Sequence, residues 1–441
     1  MSVVNIYAAA EARRTILRRA PWEDQEMPER VLDGIERIFG ERLSPAEAVA
    51  RILRDVRTRG DAALAEWSAR IDGAPPLLEI TPDAWAAAYG RLPAAQREAL
   101  DLAAERIAAF HRKQPMDSWI DSGPDGTLGQ LIRPLDRAGV YVPGGTAPLP
   151  SSLLMAAIPA RVAGVGQVIV CTPPRQGGVA DLILAAAHVA GVDRLFAVGG
   201  AQAIAAMAYG TESVPAVDKI VGAGGLFITL AKRQVIGSVG IDGFYGPTET
   251  LVIADESANP AWAAADLLAQ AEHDVLASPI LLTPSAALAG QVAAELAVQL
   301  ATLSRAEIAA TSLRTRGGIV VTDGLAEAVE LANAYAAEHL CLLVRDPWAL
   351  VGRIRNAGGI FVGEHSFEVL GDYVAGPSHV MPTEGSARYS SPLSVADFVK
   401  RISLIAFGAD AGERLARSAA VLAHGEGLTA HAAAAEMRCN D

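Results

Sequence analysis

Cysteine is nearly missing from this chain: three in 441 residues, Cys171, Cys341 and Cys439, far apart and without a CxxC pair. An odd, scattered set argues against a disulfide framework and against a thiolate zinc site, so a reducing cytoplasm is the expected compartment. Long hydrophobic runs are missing too. The most apolar stretch, LLMAAIPARVAGVGQVIV, is broken by Pro159, Arg161 and several glycines, and the opening MSVVNIYAAAEARRTILRRAPWEDQE has no apolar core behind its basic residues. Neither export nor a membrane span is expected. Positive charge is scarce: 37 Lys+Arg against 50 Asp+Glu leave a formal charge of -13. Without a local basic cluster, such a surface repels phosphate backbones and anionic bilayers, so no nucleic-acid or membrane partner is expected. The P-loop GxxxxGK[ST], the GxSxG elbow and HExxH are also absent.

What remains is ample material for a core. The chain is 51% hydrophobic and 20% charged, and its length corresponds to about three domains of roughly 150 residues. Up to about residue 120 the pattern is helical. Ser44-Pro45-Ala46-Glu47 combines a capping box with proline at the first helical position, and Thr81-Pro82-Asp83 marks a second helix start. Between Leu131 and Phe361 short β-branched runs alternate with Ala-rich helical stretches: VIVC, LFAV, KIVG, TLVIA, ILLT and IVVT. Continuous apolar strands separated by helices imply parallel sheets covered on both faces, an α/β fold. Two modest sheets with a break near Gly246-Pro247 suit these runs, with a helical tail from about Ser394.

Glycine turns after strand-like runs invite a dinucleotide reading. The nearest approach to G-x-G-x-x-G is Gly222-Ala223-Gly224-Gly225-Leu226-Phe227, with Phe in the third glycine's place. Pro143-Gly144-Gly145 and Gly199-Gly200-Ala201-Gln202 are further glycine turns, and spacing alone names no ligand for them. Six of the eight histidines (His273, His339, His365, His379, His424, His431) lie beyond residue 270. In LLAQAEHD, Gln270 and His273 stand three apart on one helix face, each with a lone pair for a metal or a substrate; a solvated helix terminus fits the same spacing. Asp372 falls in a glycine-flanked turn, and Glu426 and His431 stand five apart near a helix start. Glu338-His339 is the pair singled out on physical grounds. Neighbours on a helix diverge by about 100°, but here LANAYAAEH gives way to the strand-like LCLLV, and at that junction both side chains can face one cleft. A dipole-capping histidine beside a solvated glutamate is the plainer alternative. Cys341 shares His339's face if the strand begins at once, but nothing nearby lowers its pKa, so it reads as core.

The stretches RPLDRAGVYVPGGTAPLPSSLLM, AVGGAQAIAAMAYGTESVPAVDKI, VGIDGFYGPTETLVIADE, LLAQAEHD, YAAEHL, GDYVAGPSHVMPTEGSARYSSPLSVADFVKR and EGLTAH together resemble the histidinol dehydrogenase family from about residue 30 onward. The resemblance implies a homodimer with swapped tail elements. Each subunit would hold two incomplete Rossmann-like, aldehyde-dehydrogenase-like domains with small helical elements at either end. Its segments are an N-terminal helical arm (1–25), a first Rossmann-like domain (26–140 and 249–392), a second on the NAD side (141–248) and a helical tail (393–441). It further implies oxidation of L-histidinol by two NAD+ in succession, with one Zn2+ per subunit on Gln270, His273, Asp372 and His431. Glu338 and His339 take the acid–base positions. Thr248, His379 and Glu426 join the metal ligands and His339 around the substrate, and Tyr141, Gln202 and Gly225 take the cofactor positions.

Two positions depart from the family pattern. Gly225 stands where a cofactor-contacting asparagine is usual, and Thr248 replaces a serine but keeps its hydroxyl. The alternative is a similar metal- and NAD-dependent enzyme with another alcohol substrate, such as a sulfopropanediol dehydrogenase. Glu426 argues against it, because a carboxylate repels a sulfonate.

Overall fold

All six apolar runs fall on strands in the computed structural model of the chain, which describes residues 3–19, 29–73, 77–144, 148–175 and 178–439. In chain order the strands are β1 (Ile6–Ala8), β2 (Leu77–Ile80), β3 (Trp119–Gly123), β4 (Gly126–Pro134), β5 (Arg137–Tyr141), β6 (Gln167–Cys171), β7 (Arg194–Ala197) and β8 (Lys219–Val221). They continue with β9 (Gly240–Ile241), β10 (Glu249–Ala254), β11 (Ser278–Thr283), β12 (Gly318–Val321), β13 (His339–Leu343), β14 (Gly359–Val362) and β15 (Val399–Ala406).

The first sheet has the order β1-β12-β11-β10-β13-β14 and is parallel throughout. Every residue of β10 and β13 is buried, as strands covered by helices on both faces must be. The second sheet has the order β2-β7-β6-β5-β8-β9, parallel except for β2, which runs against β7. In each sheet the chain winds outward from a central strand, then returns to its other side. The points where direction reverses therefore lie between β10 and β13 and between β5 and β8, where open α/β sheets leave a crevice.

Several expectations are corrected. The arm at 1–25 is not simply helical: β1 adds an edge strand to the first sheet before a single helical turn, Ala9–Ala12. Residues 20–28 lie outside the described residues. The lead-in helices expected with the first domain cover the second sheet instead. Helix Pro45–Arg59, begun by the Ser44–Glu47 capping box, and helix Asp61–Asp72 bury Val49, Ile52, Val56, Leu64 and Trp67 against Ile169, Phe196, Ile204 and Met207. The division at 140/141 thus cuts through β5, the central strand of that sheet. Helix Pro82–Arg91 starts at Thr81 as expected, although the threonine side chain makes no capping bond. The break near Gly246-Pro247 falls between β9, in the second sheet, and β10, in the first.

The tail is not purely helical either. Residues 115–135 and 399–441 form a compact unit of their own, in which β15 pairs antiparallel with β4, and β4 with β3. Helices Ala409–Gly425 and Thr429–Glu436 complete it. Strand β15 escapes the sequence pattern because its solvated face carries Lys400 and its run VKRISLIA lacks a continuous apolar core. Trp119, Ile120, Ile405, Val421, Leu422 and Met437 of this unit are each more than half exposed. Among the described residues no helix is long and apolar enough to cross a membrane.

Candidate active site

The parallel register of β10 and β13 sets Thr250 opposite His339. Helix Leu325–Tyr335 ends at Ala336, which turns the chain out of the helix in the left-handed region (φ 55°, ψ 60°), and the strand starts three residues later. This removes the helical divergence between Glu338 and His339. Gly358 packs against the same point, where a Cβ would lie 2.5 Å from the Glu338 carbonyl oxygen, and the Gly359 N–H donates to that oxygen at 2.9 Å.

Glu249 connects the pair through its backbone. Its N–H donates to Glu338 Oε2 at 3.1 Å, and its carbonyl oxygen lies 3.1 Å from His339 Nδ1. A carbonyl can only accept, so this contact puts the proton on Nδ1 and leaves the lone pair of the neutral ring on Nε2. Nε2 is buried, has no hydrogen-bond partner among the described residues and lies 3.6 Å from Asp372 Oδ1. Glu338 Oε2 is 3.6 Å from Nδ1. The Thr248 hydroxyl is 2.7 Å from Glu338 Oε2 and 2.9 Å from Gln270 Oε1, and its one proton serves one of them at a time. Gln270 Nε2 lies 3.4 Å from His339 Nδ1, and His379 Nδ1 lies 3.9 Å from Asp372 Oδ1.

Burial raises the Glu338 carboxyl to about 7 even though His339, the Thr248 hydroxyl and the Glu249 N–H favour its charged form. Burial lowers the His339 imidazole, but Glu368, Glu338 and Asp372 outweigh it and hold the ring well above its ordinary value. Asp372 shows the opposite balance: burial raises its carboxyl, while His339, His379 and His273 together keep it below the usual range. One carboxylate therefore faces three imidazoles.

The local structure differs from the sequence reading at two places. Helix Pro260–Ala271 ends before His273, so Gln270 sits in the last helical turn, fully buried, and His273 in the turn beyond it, exposed. Asp372 lies not in a turn but in the short helix Glu368–Tyr373. That helix supplies a residue the sequence reading missed, Glu368, one turn before Asp372 on the same face. Its Oε2 accepts from the Thr250 hydroxyl, its buried Oε1 has no hydrogen-bond partner among the described residues and lies 3.8 Å from His339 Nδ1, and burial pushes the carboxyl up to about 8. The i, i+4 spacing of the two acids was the available signal. Arg19 was also missed. Its guanidinium grips both carboxylate oxygens of Glu249, donates to the Tyr335 carbonyl at 2.8 Å and stacks 3.6 Å over the Tyr335 ring. No local motif announces a pair 230 residues apart.

Cys341 is core, as expected. It is buried, and burial followed by the charge of Glu368 pushes its thiol well above the ordinary value, which denies it a nucleophilic thiolate.

The expected metal ligands are divided between the two units: Gln270, His273 and Asp372 in the first, His431 in the second. Among the described residues, no three His, Cys, Asp or Glu side chains are grouped to hold a metal ion. An amide, an imidazole and a carboxylate fit Zn2+ in kind, but this partial set needs a fourth donor. His431, in helix Thr429–Glu436, and Glu426, just beyond helix Ala409–Gly425, are both solvent-exposed.

The expected cofactor positions lie past the carboxyl ends of the second sheet's strands, whereas Thr248, Glu338 and His339 lie at the amino edge of the first. Tyr141 ends β5 and its hydroxyl accepts from the Gly200 N–H at 3.2 Å. Gln202 donates to Asp72 at 3.3 Å, while its buried Oε1 has no hydrogen-bond partner among the described residues. Gly225 precedes helix Leu226–Val235, in extended backbone and with open space where a side chain would stand. Unpaired N–H groups at a helix start and an orphaned buried amide oxygen are features a pyrophosphate and a polar nucleotide can use.

The sequence model of the histidinol dehydrogenase family matches residues 41–439. The histidinol dehydrogenase of Deinococcus radiodurans is 53% identical over 99% of this chain and 100% of its own length. That of Chromobacterium violaceum is 52% identical over 89% of this chain and 92% of its own. The crystal structure of histidinol dehydrogenase from Elizabethkingia anophelis superimposes with a TM-score of 0.90 at 31% identity, covering 99% of this chain and 98% of that one. The chain belongs to the histidinol dehydrogenase family and is an oxidoreductase.

Proposed function

We propose that this protein is a zinc- and NAD+-dependent enzyme that oxidises L-histidinol through L-histidinaldehyde to L-histidine, the last step of histidine biosynthesis. The observation that carries the reading is the pairing of two proton acceptors, Glu338 and His339, 3.6 Å apart and both bonded to the backbone of Glu249. Oxidising an alcohol to an acid needs two acts of base catalysis, and the site offers two bases. When bound, NAD+ supplies the hydride acceptor and zinc a cationic anchor for the substrate's nitrogen atoms.

In the first half-reaction His339 Nε2 takes the hydroxyl proton. In the second, Glu338 takes a proton from the water that adds to the aldehyde, and Thr248, donating to Glu338 or to Gln270, orients both carboxylate and amide. Asp372 and His379 border the space beyond Nε2. Gln270, His273 and Asp372 would hold the metal together with His431 of the partner subunit. Glu426 of the partner subunit would accept a hydrogen bond from the substrate imidazole. The exposed apolar side chains around β3, β15 and helix Ala409–Gly425 support a homodimer in which this unit serves the neighbouring copy.

Zinc-loaded protein given L-histidinol and excess NAD+ should form two NADH per histidinol consumed. One NADH per substrate, or turnover of a sulfonated diol in place of histidinol, would contradict the reading. Both bases must be unprotonated to act, and both carry raised pKa values. The rate kcat/KM should therefore climb from neutral toward alkaline pH; a fall over that interval would exclude these roles. Subunit exchange tests the dimer. Glu338→Gln and His431→Asn are each expected to form almost no L-histidine alone, and their mixture should recover about a quarter of the wild-type rate of L-histidine formation, since half the dimers are mixed and each has one intact site. No recovery after verified exchange would show that each chain supplies its own His431.

A further inference from the structure

The second sheet contains an ion pair that neither the proton chemistry nor the expected cofactor contacts use. Lys232, in helix Leu226–Val235, and Asp242, just after β9, have side chains only 2% and 1% exposed. Lys232 Nζ donates to Asp242 Oδ1 at 2.5 Å and to the Gly222 carbonyl at 2.7 Å. Asp242 Oδ2 accepts from the Gly222 N–H at 2.7 Å, and Oδ1 accepts from the Gly243 N–H at 2.8 Å. Both backbone polar groups of Gly222 thus end on one buried salt bridge.

Gly222 opens the turn between β8 and the helix start at Gly225, beside Tyr141 at the point where the strand order reverses. Its φ is +110°, and a Cβ there would lie 2.2 Å from the Tyr141 carbonyl oxygen, so only glycine fits at this point of the turn. The segment that follows Asp242 continues through Tyr245, whose ring centroid is 5.0 Å from Lys232 Nζ and whose carbonyl accepts from the Thr229 hydroxyl at 3.2 Å. Three residues later it delivers Thr248 to Glu338 and Gln270. A buried charge pair costs desolvation that well-packed apolar residues avoid, and geometric specificity is one reason to retain such a pair.

We propose that Lys232 and Asp242 are positioning residues for the dinucleotide: they lock the Gly222–Gly225 turn that receives it and tie that turn to the segment carrying Thr248. The proposal rests on the reading of the second sheet as the NAD+ side. In this role the pair touches neither cofactor nor substrate. It keeps the turn in its binding conformation in the free enzyme, so that binding does not have to order it.

The test is calorimetric binding of NAD+ and, separately, of L-histidinol to zinc-loaded wild type and Asp242→Asn, with folding checked by circular dichroism. The expected result is an NAD+ Kd weakened about ten-fold or more, with histidinol Kd unchanged within about two-fold, and a KM rise confined to NAD+. Equal NAD+ affinity in a folded Asp242→Asn overturns the proposal while leaving the cofactor reading intact. Wild type that binds histidinol but no NAD+ overturns both. Should the variant fold poorly, hydrogen exchange on the wild type decides. In the free enzyme, peptides covering residues 222–226 and 242–248 should already exchange slowly and NAD+ should add little protection; fast exchange in either segment that NAD+ abolishes would overturn the proposal.

Discussion

The register between β10 and β13 is the constraint on which the site depends. With Thr250 opposite His339, the Glu249 peptide directs its N–H to one base and its carbonyl to the other. A slip of one residue would turn every side chain of β13 to the opposite face and carry His339 away from Asp372. The two strands lie at the centre of a sheet covered on both faces, so the apolar core formed by Leu251, Ile253, Leu340 and Leu342 fixes the register that the chemistry requires.

Around this backbone frame the side chains form an unusually acidic interior. Glu338, Glu368 and Asp372 surround one imidazole, and among the described residues no lysine or arginine pairs with these three acids. The cluster is electrostatically costly on its own, as the raised carboxyl pKa values of Glu338 and Glu368 record. A site of this kind favours a cationic guest, which accords with an amine-bearing substrate and a divalent ion. Meanwhile Arg19 pairs with Glu249, a fourth carboxylate whose charge still helps to raise Glu338.

Much of this was readable beforehand, and the omissions share a cause. Strands betrayed themselves as continuous apolar runs, and the helix-to-strand junction marked Glu338-His339 without reference to any relative. Cys341 was set aside because no neighbour in sequence lowers its pKa. Roles for Gln270, His273, Asp372 and His431 came from resemblance, because their spacing alone fitted a solvated helix end or a turn equally well. Glu368, Arg19, Lys232 and Asp242 were missed because their partners are distant in sequence or belong to backbone: Thr250, Glu249 and Gly222 become significant only once the strands are laid side by side. Strand β15 was missed because it is solvated along most of its length, and periodicity reports burial. The lead-in helices went to the wrong sheet because an amphipathic face does not specify which apolar surface will cover it.

The central claim is a division of labour between two adjacent bases, and single-turnover kinetics of Glu338→Gln test it most directly. Zinc-loaded variant and wild type would be mixed with NAD+ and either L-histidinol or L-histidinaldehyde, and the first NADH formed would be followed in each case. The account predicts near-normal oxidation of the alcohol and a loss of about 100-fold or more with the aldehyde. Equal slowing of both half-reactions, or loss confined to the alcohol, would contradict it.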